Sequence, residues 1–459
     1  MRSLNTVAKS VTQRLAEFVA EADLSRVPGE VLQRATHHVL DTVGVGLAAH
    51  SDTGVERALA IAACYGTSGA RIWGGSRACA LPGAVLVNAF LAHVLDYDDW
   101  DPSGGHPSCT AASAALSVGE ARHATGRAVL EAYLMGVELT GRVMAACPNA
   151  RARGWHATPL FGAIGAAAAS ARLLRLNPRQ TAIALGLGAT LACGLVRQIG
   201  TSGKALQVGY CAHNGVHAAL LAQAGFDGDV QLFDGRDSFF DVYFGPDSSR
   251  PESMLDALGE RWFITDPGMG LKPYPCSFPQ FWAAYGIQSL MKEHGLAPDQ
   301  VARVEVRCSP IQFKEHNEPA PQTGLRAKFS LNYVSAASLA FSRLTRDAFT
   351  DERVREPRMR KALEKVVLVP DTEISTDWTK IYNVVTLELH GGRRLTKRVD
   401  HPLGHPRNPM SGGEVREKFR DNACIVFDEA RIDRVLDLGE RLATLPDTAE
   451  FVSLLSPSA

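Results

Sequence analysis

The stretch GWHATPLFGAIGAAAASARLL, residues 154–174, places Gly162 and Gly165 ahead of a run of alanines. Small side chains at these positions allow neighbouring helices to approach closely, almost backbone to backbone. The stretch therefore predicts a tightly packed helix. Helical spacing of apolar residues, broken by short Gly, Pro and Asn turns, extends from Pro28 to about Phe226.

The composition also favours helices. Of the 459 residues, 46% are hydrophobic, 7% are aromatic and 41 are glycine. Small residues in this proportion are typical of closely packed helices, whereas a β-sandwich uses more aromatic and branched side chains. The length predicts two or three domains. The most apolar stretch, Thr181–Val196, has 16 residues, which indicates a buried helix and not a membrane span.

The charge balance speaks against polyanionic partners. Lys and Arg number 48, Asp and Glu number 49, and the formal net charge is -1. A chain with no excess of positive charge is not expected to bind nucleic acid or an anionic membrane.

The cysteines and the N-terminus predict a cytoplasmic protein. Nine cysteines are scattered along the chain without a CxxC pair, so neither a disulfide framework nor a local zinc or iron–sulfur site is indicated. The N-terminal residues 1–18 lack the apolar core of a signal peptide. They are basic and rich in hydroxyl groups, which leaves a transit peptide as the alternative.

The pattern changes after Phe226. Val301–Arg307 alternates between apolar and polar residues, as a half-buried strand does. Three more strands and two helices are predicted nearby: Val366–Val369, Asn383–Leu389, Arg394–Val399, Gln280–His294 and Leu331–Leu344. We therefore expect a mainly α protein with an α+β domain. A helical domain would comprise residues 1–267 and 405–459, and the smaller α+β domain residues 268–404.

The segment LDYDDWDPSGGHPS, residues 95–108, is the first candidate for chemistry. It places four aspartates at a predicted helix end and His106 after a flexible turn. Carboxylates at a helix C-terminus oppose the helix dipole, so local stability does not select them. A solvated acidic loop is the alternative interpretation. The spacing of a Mg²⁺ or Ca²⁺ loop is absent.

Other candidates are single residues in unusual places. His156 precedes a very apolar helix, where a buried core histidine is the common explanation. Lys204, in GTSGKAL (residues 200–206), lies at a helix N-terminus, where a cation is electrostatically disfavoured. That turn lacks the spacing of a phosphate loop. With Lys272 and Tyr333 from the α+β domain, these bases and cations suit proton transfer on a polycarboxylate.

A series of ordered motifs extends over nearly the whole chain. They are LDTVGVGLA (40–48), LDYDD (95–99), GGHPS (104–108), the 154–174 stretch, GT-x-x-K (200–204), NGVHAALLAQAGFDG (214–228), KPYPC (272–276), KFSLNY (328–333) and GHPRNPMS (404–411). In this order and spacing they resemble the MmgE/PrpD family, which includes 2-methylcitrate dehydratase, cis-aconitate decarboxylase and iminodisuccinate epimerase.

The resemblance implies a large helical domain, an inserted α+β lid, a homodimer and a cofactor-free, metal-free active site in the cleft between the domains. The family's site positions match Asp96, His106, His156, Lys204, Lys272 and Tyr333. Two pocket positions depart from the family. Trp100 replaces a threonine, and Ser277 stands where the decarboxylases have a lid histidine. Another common histidine falls near Phe281. We hypothesise that Trp100 and Phe281 suit a larger or less charged substrate.

The expected activity is that of a lyase, a dehydratase or decarboxylase acting on a small di- or tricarboxylate. Lys204 and Lys272 would hold carboxylates, with help from His106 and Tyr333. His156 would transfer the proton, and Asp96 would orient a histidine or transfer the second proton. Two alternatives stay open: an epimerase that removes and returns an α-proton, and a silent member of the family that only binds a carboxylate.

Overall fold

A computed structural model describes residues 9–52, 54–147, 149–246 and 248–456. Residues 1–8, which enter the localisation prediction, lie outside the described residues. The chain divides into two compact units. The helical unit contains the described residues up to Met269 and from Gly412 onward, and the α+β unit is Gly270–Ser411.

The α-helices, numbered in chain order, alternate with short connections. They are α1 Val11–Glu21, α2 Gly29–Ala48, α3 Gly54–Ala62, α4 Leu81–Val94, α5 Pro107–Ala121, α6 Gly126–Ala145, α7 Ala157–Leu173, α8 Pro178–Thr190, α9 Gly203–Gln223, α10 Phe239–Phe244, α11 Phe281–Glu293, α12 Pro310–His316, α13 Gly324–Ala327, α14 Leu331–Ala340, α15 Asp351–Arg355, α16 Pro357–Glu364, α17 Gly412–Ala423, α18 Glu429–Glu440 and α19 Ala449–Leu454. None of the helices in the described ranges is long and apolar enough to cross a membrane.

The strands are fewer. They are β1 Ala70–Arg71, β2 Ala78–Cys79, β3 Asp99–Trp100, β4 Gly270–Leu271, β5 Val301–Cys308, β6 Val366–Pro370, β7 Asn383–Leu389 and β8 Arg394–Val399. The prediction of a mainly α chain with a smaller α+β domain is confirmed.

Glycines allow three helices to pack closely against α7, which contains most of the stretch 154–174. A Cβ at Gly162 would lie 2.7 Å from Thr110 of α5, and a Cβ at Gly165 would lie 2.0 Å from Thr140 Oγ1 of α6. On the other side, a Cβ at Gly215 of α9 would lie 2.4 Å from the Ala163 carbonyl oxygen. Because such distances leave no room for a side chain at the glycines, these helices pack very closely against one another.

The start of α8 follows the capping rules of helix N-termini. Asn177 Oδ1 accepts a hydrogen bond from the Gln180 backbone N–H, and the Gln180 side chain bonds back to the Asn177 N–H. Pro178 takes the first position of α8, where its missing N–H costs nothing.

The α+β unit is built on a four-stranded sheet in the order β6-β5-β7-β8. β5 runs parallel to β6 and antiparallel to β7, and β7 and β8 form a hairpin. The hairpin turn contains Gly392 at φ 81°, in the left-handed region that glycine adopts freely. Helix α11 packs on this sheet at Gly286, where a Cβ would lie 2.7 Å from Val385.

The boundaries of the α+β unit differ from the predicted 268–404. The C-terminal boundary is Ser411, because residues 405–411 fold back on the same unit. The Gly404 N–H donates to the Asn408 carbonyl oxygen at 2.9 Å, and the His401 and His405 rings stack with centroids 4.5 Å apart. Sequence pattern alone marks only the end of the last strand.

Candidate active site

The acidic segment after α4 is buried and not a solvated loop. Asp98, Asp99 and Asp101 are fully buried, and Asp96 is 8% exposed. Asp96 has φ 54°, in the left-handed region that aspartate tolerates better than most residues. The chain therefore reverses at Asp96 and directs the following carboxylates inward.

Two of the aspartates shape the turn that delivers His106. Asp99 accepts hydrogen bonds from the Ser108 backbone N–H and from Ser108 Oγ, the latter at 2.6 Å. Asp101 accepts from the backbone N–H groups of Ser103 and Gly105, both at 2.7 Å. Burial raises the pKa of Asp99 to about 7 and that of Asp101 to about 6. Their role is to hold the start of α5 in place.

The other two aspartates contact basic groups. Lys204 Nζ, in the first turn of α9, lies 2.5 Å from Asp96 Oδ1. His106 Nε2 lies 3.9 Å from the same oxygen. Both side chains of the Lys204–Asp96 pair are close to nine-tenths buried, at 12% and 11% exposure. The predicted residues Asp96, His106 and Lys204 therefore come together.

Two imidazoles contact Asp98, and a third lies beside one of them. His93 Nδ1 lies 2.8 Å from Asp98 Oδ2, and His106 Nδ1 lies 3.4 Å from Asp98 Oδ1. The His93 ring contacts His106 edge to face, with centroids 4.8 Å apart, and lies 5.9 Å from the His156 ring. His93 Nε2 is buried with no hydrogen-bond partner among the described residues.

His156 is held by its backbone and by its ring. Its N–H donates to the Gly194 carbonyl oxygen at 3.0 Å, and its Nδ1 lies 2.7 Å from Gln207 Nε2. His106 and His156 are both N-cap residues, of α5 and α7, yet neither ring caps its helix. Ser, Thr, Asp or Asn would stabilise such positions better, so helix stability does not explain the two histidines.

The electrostatics keep two of the rings neutral at neutral pH. Burial, reinforced by the Lys204 charge, lowers the pKa of His156 well below its usual value. Burial also lowers the pKa of His93 to about 4, although Asp98 opposes the shift. Burial works against ionisation of Asp98, but the His93 and His106 rings hold its pKa well below the usual range. A buried carboxylate thus stands beside the neutral imidazole of His93.

The His93, Asp98 and His106 side chains are also the group that could hold a metal ion. Within the described part of the chain, their ligand atoms lie within 4.8 Å of one another. Hydrogen bonding between Asp98 and the rings already accounts for this closeness. The expectation of a metal-free site stays a prediction.

Three predicted residues belong to the α+β unit. Lys272, just after β4, is 1% exposed. The Ser277 N–H donates to the Lys328 carbonyl oxygen at 2.9 Å. Tyr333 is fully buried; its hydroxyl donates to the Ala348 carbonyl oxygen and its ring packs on Phe349. Burial raises the pKa of Tyr333. This hydroxyl therefore supports the unit's interior, and its predicted role toward substrate stays a prediction.

Trp100 and Phe281, the two aromatic residues at positions where the family usually has other residues, are buried. Trp100 is 1% exposed and Phe281 is fully buried, with the Phe281 ring 5.7 Å from the Tyr274 ring. Phe281 is thus part of the interior of the α+β unit. The hypothesis that these residues enlarge a substrate pocket stays a prediction.

Comparison with known proteins places the chain in a family. The model of the MmgE/PrpD N-terminal domain matches residues 13–252, and that of the MmgE/PrpD C-terminal domain matches residues 274–442. The chain belongs to the MmgE/PrpD family. The resemblance seen in the sequence motifs is confirmed.

Relatives of this chain include a decarboxylase and a dehydratase. Cis-aconitate decarboxylase of Mus musculus is 26% identical over 97% of this chain and 93% of its own length. The protein of the same name from Homo sapiens is 26% identical over 97% and 95%. 2-methylcitrate dehydratase of Salmonella typhimurium is 25% identical over 53% and 52%. The prediction of an enzyme, a lyase of the MmgE/PrpD family, is confirmed.

Sequence reasoning missed three of the residues that make up this group. Asp98 was covered only by the acidic segment as a whole, and His93 and Gln207 were not singled out. Each carried a signal: His93 is a histidine inside the apolar helix α4, one turn before the acids. Gln207 follows Lys204 by three residues, so both lie on one face of α9.

Proposed function

We propose that this protein is a cofactor-free lyase that removes water or carbon dioxide from a small di- or tricarboxylate. The observation that carries the proposal is the buried group of Asp96, His106, His156 and Lys204. It stands in a chain related to a decarboxylase and a dehydratase. Lys204 provides the charge for a substrate carboxylate, and the imidazoles provide proton transfer.

Both reactions need a group that transfers a proton and a cation that holds a carboxylate. In a dehydration, a base takes the proton next to a carboxylate while the hydroxyl leaves as water with an added proton. In a decarboxylation, the carbon–carbon bond breaks, carbon dioxide leaves, and the electron pair left on carbon takes up a proton. Neutral imidazoles beside a fixed cation meet these needs at neutral pH. The roles of Lys272 and Tyr333 in holding substrate carboxylates are proposed only on the family resemblance.

A substrate panel tests the proposal. Citrate-, aconitate- and methylcitrate-type acids are incubated with the protein in deuterated water. Absorbance of a new conjugated double bond, carbon dioxide release and product mass are then measured. Loss of water or carbon dioxide supports the lyase. Deuterium uptake without loss of mass would indicate an epimerase. Ligand-induced thermal stabilisation without turnover over hours would indicate a binding protein. Either of these results would overturn the proposal.

Two histidine variants separate the activity from contaminants. His156→Ala should lower the rate at least about 10²-fold, because a proton-transfer or charge-stabilising group is removed. His123→Ala is the matched control: its ring is 75% exposed and bonds Asp447 at 2.8 Å on the surface. The control should retain the full rate. Equal rates in both variants would show that the activity does not depend on His156.

A further inference from the structure

The backbone of Leu195 holds the Gln207 side-chain amide in one orientation. The Leu195 backbone N–H donates to Gln207 Oε1 at 3.0 Å, and Gln207 Nε2 donates to the Leu195 carbonyl oxygen at 3.4 Å. A backbone N–H can only donate and a carbonyl can only accept, so the oxygen and nitrogen of this amide cannot be exchanged.

This orientation determines where the proton sits on His156. The second hydrogen of Gln207 Nε2 is directed at His156 Nδ1, 2.7 Å away. Because the amide nitrogen donates, Nδ1 must accept and carries no proton. The neutral ring therefore has its proton on Nε2. Burial and the Lys204 charge lower the pKa of His156, which keeps the ring in this neutral form.

His106 is held in the opposite tautomer. Its Nδ1 lies 2.6 Å from the backbone carbonyl oxygen of Asp99, which can only accept. Nδ1 of His106 therefore carries the proton, and Nε2 of the neutral ring has the free electron pair. The two rings thus differ in what their Nε2 atoms can do: one donates a hydrogen bond and the other accepts a proton.

We infer that Gln207 is a positioning residue that fixes His156 as a neutral hydrogen-bond donor, and that His106 is the proton acceptor where the reaction is a dehydration. The inference rests on the proposed function and refines it, since the sequence assigns the proton transfer to His156, with Asp96 as the candidate for a second one. A fixed N–H that donates to a substrate oxygen on which negative charge develops stabilises the transition state without reorganisation. In a dehydration, His106 Nε2 then takes the proton from carbon; in a decarboxylation no proton leaves carbon, because the electron pair left by carbon dioxide takes one up.

The test reads the tautomer directly. In ¹⁵N-labelled, ligand-free protein, the ¹⁵N shifts and ¹H couplings of the imidazoles distinguish protonated from unprotonated ring nitrogens, and loss of signals in His156→Ala assigns the ring. We expect a proton on His156 Nε2 and none on Nδ1. The comparison variants are Gln207→Glu and Gln207→Leu. Gln223→Leu is the control, because Gln223 lies on the same helix and its amide bonds the Leu174 carbonyl oxygen.

Glutamate at position 207 favours the other tautomer of His156, because a carboxylate can only accept a hydrogen bond from His156 Nδ1. In Gln207→Glu we expect a proton on Nδ1, a higher pKa of His156 and a fall in kcat of about 10²-fold or more, with KM less affected. Gln207→Leu leaves the tautomer unspecified, and we expect a loss of about tenfold. The control should keep both the tautomer and the rate.

Two results would overturn the inference. One is a proton on His156 Nδ1 in the unsubstituted protein. The other is a Gln207→Glu protein whose tautomer and kcat stay within about threefold of the original. If Gln207→Glu does not fold, the inference is tested by the tautomer of His156 in the original protein and by the rate of Gln207→Leu. Because the tautomer is read without substrate, a protein inactive on every acid contradicts the proposed function, whereas an active protein with the wrong tautomer contradicts only the inference.

Discussion

Lys204→Met is the sharpest test of the site, because it removes a charge while keeping most of the side-chain volume. Lys204 Nζ lies 2.5 Å from Asp96 Oδ1, and both side chains are largely buried. Lys9→Met is a matched control. Lys9 Nζ lies 2.5 Å from Glu17 Oε1, but these side chains are 60% and 32% exposed. The two substitutions remove ion pairs of equal length in very different surroundings.

The expected magnitude follows from two losses. A hydrogen bond from a charged group to a substrate carboxylate is worth about 1.5–3 kcal/mol, which corresponds to roughly 10- to 150-fold in rate. In addition, the Asp96 carboxylate would face an anionic substrate without its cation, and like charges repel strongly in a buried site. We therefore expect kcat/KM to fall at least about 10²-fold. Lys9→Met should leave it unchanged.

The assay is kcat/KM across pH on whichever acid the panel identifies, with urea unfolding to show that both variants are folded. The Lys204 charge is among the causes that lower the pKa of His156. Without it that pKa rises, so the residual activity should fall as the pH drops through a range where the original protein is constant. A Lys204→Met protein within threefold of the original, with the same pH profile, would refute the assignment.

Two further predictions concern stability. Gly165→Ala should lower the free energy of unfolding by about 1–3 kcal/mol, because its Cβ would lie 2.0 Å from Thr140 Oγ1. Gly29→Ala, with nothing within 4 Å, should be neutral or stabilising in urea unfolding; equal effects of the two substitutions would contradict the close approach at Gly165. Burial raises the pKa of Asp99 to about 7, above its unfolded value of about 3.9, so its contribution to stability is lost as pH rises between these values. Asp99→Asn should therefore gain about 2 kcal/mol relative to the original between pH 5 and pH 7; a difference independent of pH would contradict it.

Local pattern was enough for most of the fold. The helices follow from apolar spacing and from starts such as Asn177-Pro178, and strand β7 has its predicted bounds Asn383–Leu389. These features are decided within a few residues of chain. The end of the α+β unit at Ser411 was not predicted, because residues 405–411, which follow the last strand in the chain, pack back on the same unit.

The candidate site was harder to predict, because burial is a property of the fold. The sequence shows four aspartates near His106, but it does not tell Asp99 and Asp101, which hold the turn, from Asp96 and Asp98, which contact basic groups. Spacing cannot reveal a partner more than a hundred residues away. The Lys204–Asp96 pair spans 108 residues of sequence.

The stretch 154–174 links the fold to the chemistry. Helix α7 meets α9 through backbone atoms, since a Cβ at Gly215 would lie 2.4 Å from the Ala163 carbonyl oxygen. His156 lies immediately before α7, and Gln207 lies near the start of α9. A contact made of backbone has no rotamers through which it can relax. The 2.7 Å distance between His156 Nδ1 and Gln207 Nε2 is therefore set by how closely two helices pack. Small residues are needed here because a larger side chain between the helices would separate the imidazole from the amide that fixes its proton.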